Sequence, residues 1–166
     1  MHLKKFIILI FFCLFTFEVA ANTPRSTGKY KNWESFSMET DKGKVCFAQT
    51  IPTKRAPSSI KRRESRLFVT FRPGENIRDE ISITSGHTYK SSTVTAKSGK
   101  SFFSFFSQDD FAWLLDTSEE KGFIKLMKRA TNLIVKARTD KGAETTDHYS
   151  MMGFTKAYNT AKKTCS

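Results

Sequence analysis

Three sets of residues in this chain have the types and spacing for chemistry. The first is a run of cations. Lys54, Arg55, Lys61, Arg62, Arg63 and Arg66 fall within thirteen positions, against a single acid, Glu64. Side chains so placed can neutralise phosphates, sulfates or acidic sugars, with an affinity that falls steeply as salt rises. They equally suit a solvated loop. No aromatic residue lies between Pro52 and Leu67, so the stacking platform that nucleic-acid readout uses is missing there. The candidate partners of these six residues are anionic envelope or host-surface polymers, or a protein, rather than a specific nucleic-acid sequence.

The second set is Asp147-His148-Tyr149, which invites an acid–base reading. On a strand, neighbouring side chains point to opposite faces, so Asp147 and His148 cannot act as an adjacent pair. The triplet reads instead as a solvent-facing edge. His87 stands alone in a turn, and two isolated histidines without Cys or Glu at ligand spacing make no zinc site. No GxSxG, SxxK or phosphate-cradling glycine loop is present. The expectation is a binding protein rather than an enzyme, with no catalytic residue, metal or cofactor.

The third set is the cysteines. Cys13 lies inside the apolar run Phe6 to Phe17, which follows Lys4 and Lys5 and precedes Val19-Ala20-Ala21. That is the layout of a cleavable secretory signal over residues 1–21, and the run is short of the roughly 20 apolar residues that span a bilayer. Cleavage leaves Cys46 and Cys165, and an oxidising compartment favours their pairing. The bond would close a loop of about 120 residues, worth about 4 to 5 kcal/mol in a chain-entropy account. The other possibility is two free thiols, although no CxxC spacing supports a redox pair.

Positioning these residues falls to one domain, residues 22–166, long enough for a real core. The whole chain carries a net charge of +12, and the signal removes two lysines and one glutamate to leave +11. A charge of that size favours anionic partners and says nothing about fold. Residues 22–31 read as a frayed leader. Short strands follow at Trp33–Met38, Lys44–Thr50, Arg66–Arg72, Glu80–Ser85, Thr93–Lys97 and Ser101–Ser107. Gly- or Pro-containing turns separate them, and Ile51 to Ser65 reads as an exposed loop. In SFFSFF (101–106), Phe102 and Phe106 face one way, Phe103 and Phe105 the other, which predicts a strand covered on both sides.

Two helices complete the pattern. Thr117-x-x-Glu120 reads as a capping box before Phe123, Leu126, Met127 and Ala130 at helical spacing. After two further strands joined at Asp140-Lys141-Gly142, Phe154, Ala157, Tyr158 and Ala161 mark a closing helix, with Ser150 as its candidate N-cap. The fold class expected is mainly β, an antiparallel sandwich or barrel-like domain with two short helices, one of them C-terminal.

Several segments together resemble the invasion-associated locus B family, small exported proteins of alphaproteobacteria. They are LFVTFRPGENIRDEISITSG at 67–86, SFFSFFSQDDFAWLLD at 101–116, KGAETTDHYS at 141–150, GFTKAY at 153–158, and Cys165. The resemblance implies an exported β-rich domain whose Cys46 and Cys165 match cysteines near the family's two ends. Together with the signal it implies a periplasmic or secreted location, with outer-membrane association left open. The invasion and virulence label is a phenotype of some members and names no molecular activity. Arg129-Ala130-Thr131 departs from the small Gly-Ser turn expected after the first helix. The competing function class is a periplasmic chaperone or a stress-related envelope factor.

Overall fold

The computed structural model describes residues 23–91 and 93–166; the signal expected over residues 1–21 lies outside them. Eleven strands form one sheet. They are β1 (Arg25–Tyr30), β2 (Trp33–Thr40), β3 (Gly43–Thr50), β4 (Lys54–Ala56), β5 (Arg66–Arg72), β6 (Ile77–Thr84), β7 (Val94–Ser98), β8 (Ser101–Gln108), β9 (Phe111–Trp113), β10 (Asn132–Arg138) and β11 (Glu144–Ser150). Two helices, α1 (Thr117–Arg129) and α2 (Phe154–Thr164), are added to it. The sheet order is β1-β2-β3-β5-β6-β9-β8-β7-β10-β11-β4, and every pairing is antiparallel. The mainly β architecture with a C-terminal helix is thus as the turn spacing predicts.

The long sheet bends so that its two halves share a single core. Trp33, Cys46, Leu67, Val69, Ile81 and Ile83 come from one half, and Val94, Phe105, Leu133, Val135 and Tyr149 from the other. The ends are tied across the bend: the Trp33 indole N–H donates to the Ser150 carbonyl (2.9 Å), and the Asn32 amide donates to the Met152 carbonyl (3.3 Å). β8 is where one half passes to the other, since Ser101 to Phe105 pair with β7 and Phe106 to Gln108 pair with β9.

Some local details differ from the sequence reading. Residues 25–30 form an edge strand because Tyr30 anchors them, its hydroxyl meeting Thr160 of α2 at 2.8 Å. The cap of α1 is Asp116, one residue earlier than expected. Its carboxylate accepts from the amides of Ser118 and Glu119 (both 2.8 Å), while Glu119 reaches back to the Leu115 amide. An Asp can cap as well as a Thr, and here it comes first.

α2 begins after Gly153, not from Ser150. Gly153 has φ +96° and lies so close to the Tyr30 carbonyl that an added Cβ would collide with it, so glycine is required on two counts. α2 buries Phe154, Ala157, Tyr158 and Ala161 and ends at the Cys46–Cys165 disulfide, which spans 119 positions with a Cα separation of 5.8 Å. Among the described residues no helix is long and apolar enough to cross a membrane.

Candidate anion-binding face

The six loop cations do not form one surface. Arg62 turns inward: its side chain is 2% exposed, and its two terminal nitrogens donate to the two oxygens of Asp147 at 2.8 and 2.6 Å. Asp147 is itself 1% exposed, and Arg62 also donates to the Ser85 carbonyl (3.0 Å) and Ser65 Oγ (3.2 Å). The solvent-facing edge expected at 147–149 is therefore corrected. His148 and Asp147 do face opposite sides, but the carboxylate is on the inner side, between Thr145 and Tyr149. A bidentate, charge-assisted pair satisfies both ions where neither meets water.

The neighbouring arginines are engaged as well. Arg55 lies 4.0 Å from Asp147 through Nε and donates to the Arg63 carbonyl. Arg63 pairs with Asp110 (2.6 Å), and Arg66 pairs with Glu64 and donates to Gln49 (2.8 Å). Gly86 lets the loop seat. Its φ is +76°, an added Cβ would strike the Arg63 carbonyl, and its own carbonyl accepts from the Arg63 amide at 2.9 Å. Lys54 and Lys61 remain exposed and make no ion pair among the described residues.

Around the buried pair lies a set of polar groups. The Tyr89 hydroxyl donates to Ser85 Oγ (3.0 Å), and His87 Nε2 meets Thr145 Oγ1 at 2.9 Å. The Tyr149 hydroxyl is buried with no hydrogen-bond partner among the described residues. Burial, and then the negative charge of Asp147, push the Tyr149 phenol well above its usual range, and burial does the same to Tyr89. Both stay neutral phenols at any ordinary pH. The arrangement locks a charge pair in place.

The outer side of the same strands is different. Cross-strand partners place Phe102 opposite Lys97, Lys97 opposite Ile134, Ile134 opposite His148 and His148 opposite Lys54. Directly paired residues share a face, so these five make a continuous row across β8, β7, β10, β11 and β4. Lys136 lies on the same side, two residues along β10 from Ile134, and pairs with Glu144 at 3.2 Å. An open cavity of about 580 Å³ lies at the β8–β7–β10 end of the row, with Lys97, Phe102, Ile134 and Lys136 among its walls. Lys54 is the member of the sequence-predicted set that joins this row. Lys97 and Lys136 were missed because each is an isolated lysine in the sequence; period-two alternation over three strands was the available signal.

The covering expected on both sides of SFFSFF is present on one. Phe103 and Phe105 pack edge-on to Phe123 of α1, with ring centroids 5.1 and 5.4 Å apart. Phe102 and Phe106 are 59% and 49% exposed. The strand is amphipathic by position although all four residues are phenylalanine.

A second cleft, of about 450 Å³, opens beside the start of α1, where Asp79, Glu80 and Glu120 gather. Burial, reinforced by the charges of Glu80, Asp79 and Asp116, pushes the Glu120 carboxyl up to about 7, against a hydrogen bond from the Ile81 amide that pulls it down. Among the described residues no cluster of three or more His, Cys, Asp or Glu side chains could hold a metal ion. No family model, curated protein or solved structure matches the chain.

Proposed function

We propose that this chain is an exported, non-enzymatic envelope or surface protein of the invasion-associated locus B type, and that it holds an anionic partner on the outer face of β7, β10, β11 and β4. The observation that carries this reading is the cross-strand row in which Lys54 and Lys97 flank Ile134 and His148 on one side of the sheet. Lys54 and Lys97 are exposed, and neither is neutralised by a carboxylate among the described residues. The net charge of +11 outside the signal draws anions toward the whole molecule. The row supplies a place where cations converge beside apolar side chains. Arg62 contributes to stability in this reading, and the role first given to the whole loop narrows to Lys54, with Lys97 and Lys136 added.

The test is a salt titration of binding to a sulfated dextran. Lys54→Glu combined with Lys97→Glu should abolish binding, whereas Lys61→Glu in the loop should leave most of it. The parent affinity should fall linearly on a log–log plot against salt. Binding that ignores the paired substitution would remove the row from the account.

A further inference from the structure

Resting on that reading, we infer that the anionic partner is a lipid surface: β8 lays Phe102 and Phe106 into the boundary between headgroups and acyl chains of an anionic bilayer, while Lys97 and Lys100 meet the headgroups.

The two phenylalanines are on one side of one strand, four residues apart, or about 13 Å along the chain. They are 59% and 49% exposed. Scattered exposed apolar residues are ordinary, but two large aromatic rings held on one face of a rigid strand mark an interaction surface. Phe106 also continues into further aromatic surface. It pairs directly with Trp113, with ring centroids 6.5 Å apart, and Trp113 stacks on Phe111 at 5.9 Å. α1 lies against the inner rings, Phe103 and Phe105, so the outer rings are left to face a partner.

The charges choose among partners. Lys97 stands directly opposite Phe102, and Lys100 is in the turn that joins β7 to β8. Both are exposed, and neither makes an ion pair among the described residues. A second copy of the chain seated on this face would bring these lysines against their own counterparts. A soluble polyanion would satisfy the lysines and leave the phenylalanines in water. A bilayer with anionic headgroups satisfies both: aromatic rings settle at the interface, and lysine stems lie along it with their ammonium groups at the phosphates. Each lysine brought to such a surface strengthens binding about fivefold.

The experiment uses the protein with three probes: mixed phosphatidylglycerol–phosphatidylcholine vesicles, pure phosphatidylcholine vesicles, and sulfated dextran. The parent should float with the mixed vesicles and not with the neutral ones. Phe102→Ser with Phe106→Ser should weaken vesicle binding about tenfold and leave dextran binding unchanged. Lys97→Glu with Lys100→Glu should abolish vesicle binding. Vesicle binding that ignores the serine pair would overturn lipid insertion while the anionic reading stands. Equal binding to neutral vesicles would overturn the charge contribution, and binding to neither anionic probe would sink both readings. Brominated lipid gives a check that needs no variant. Trp33 is fully buried, so quenching in mixed vesicles should report Trp113, and absence of quenching would overturn the insertion.

Discussion

Two rows of side chains cross the same five strands one residue apart. On the outer side run Phe102, Lys97, Ile134, His148 and Lys54; on the inner side run Phe103, Ala96, Val135, Asp147 and Arg55. Each row begins at a phenylalanine and ends at a cation, yet they differ in what the charge does. Inside, Asp147 has no water and must be matched by Arg62, so the charge serves the fold. Outside, the lysines are solvated, cost the fold little and are free to act on something else. The loop that reads as one cationic patch in sequence is divided between the two sides. Burial, rather than charge count, separates a structural cation from one that can bind.

The comparison breaks first at Asp147. Asp147→Ala strands the Arg62 guanidinium without its anion, and should cost about 3 to 5 kcal/mol in chemical denaturation. Replacing both with well-packed apolar residues, Arg62→Met with Asp147→Leu, should recover most of the loss. A single substitution costing under about 1 kcal/mol would mean that the inner pair is as inconsequential as a surface bridge. The next test stays within β8. Phe105→Ala opens a cavity against Phe123 and should destabilise by about 3 to 4 kcal/mol. Phe102→Ala, on the outer side, should change the melting curve within about 0.5 kcal/mol. Equal losses at the two positions would show that the outer face is covered after all.

Much of this division was visible in the sequence as alternation, and part of it was not. Period two assigns Phe102 and Phe106 to one side and Phe103 and Phe105 to the other, and the structure keeps that assignment. What alternation cannot say is whether a helix lies over each side; that depends on where α1 docks, a contact between residues about twenty positions apart. The same limit applied at Asp147. Its opposition to His148 was legible, but the partner that holds it inside, Arg62, is 85 positions away. A carboxylate on a strand gives no local sign of such a partner, so it read as solvent-facing. The Cys46–Cys165 pairing was legible because setting Cys13 aside as part of the expected signal leaves two candidates, and the disulfide joins them. The capping box expected at Thr117 and Glu120 forms one residue earlier, with Asp116 as the cap and Glu119 as the acid that reaches back, which leaves the Glu120 carboxyl for the cleft beside β6.

Glu120 supplies the intermediate case between the two rows. It is half-buried, it makes no ion pair among the described residues, and the charges of Glu80, Asp79 and Asp116 act on it. Burial and those charges raise its folded pKa from 4.5 to about 7. The folded chain therefore binds more protons at this site than the unfolded chain between those values. Stability from Glu120 is then greatest below about pH 4.5 and is lost as pH rises toward 7. Because the group is partly solvated, the loss should stay below about 1 kcal/mol. Glu120→Gln keeps the shape and removes the titration, so parent and variant should match near pH 4.5, and the variant should become the more stable as pH approaches 7. A difference that does not vary with pH would place the carboxyl in full contact with water, with the lysines of the outer row rather than between the two regimes.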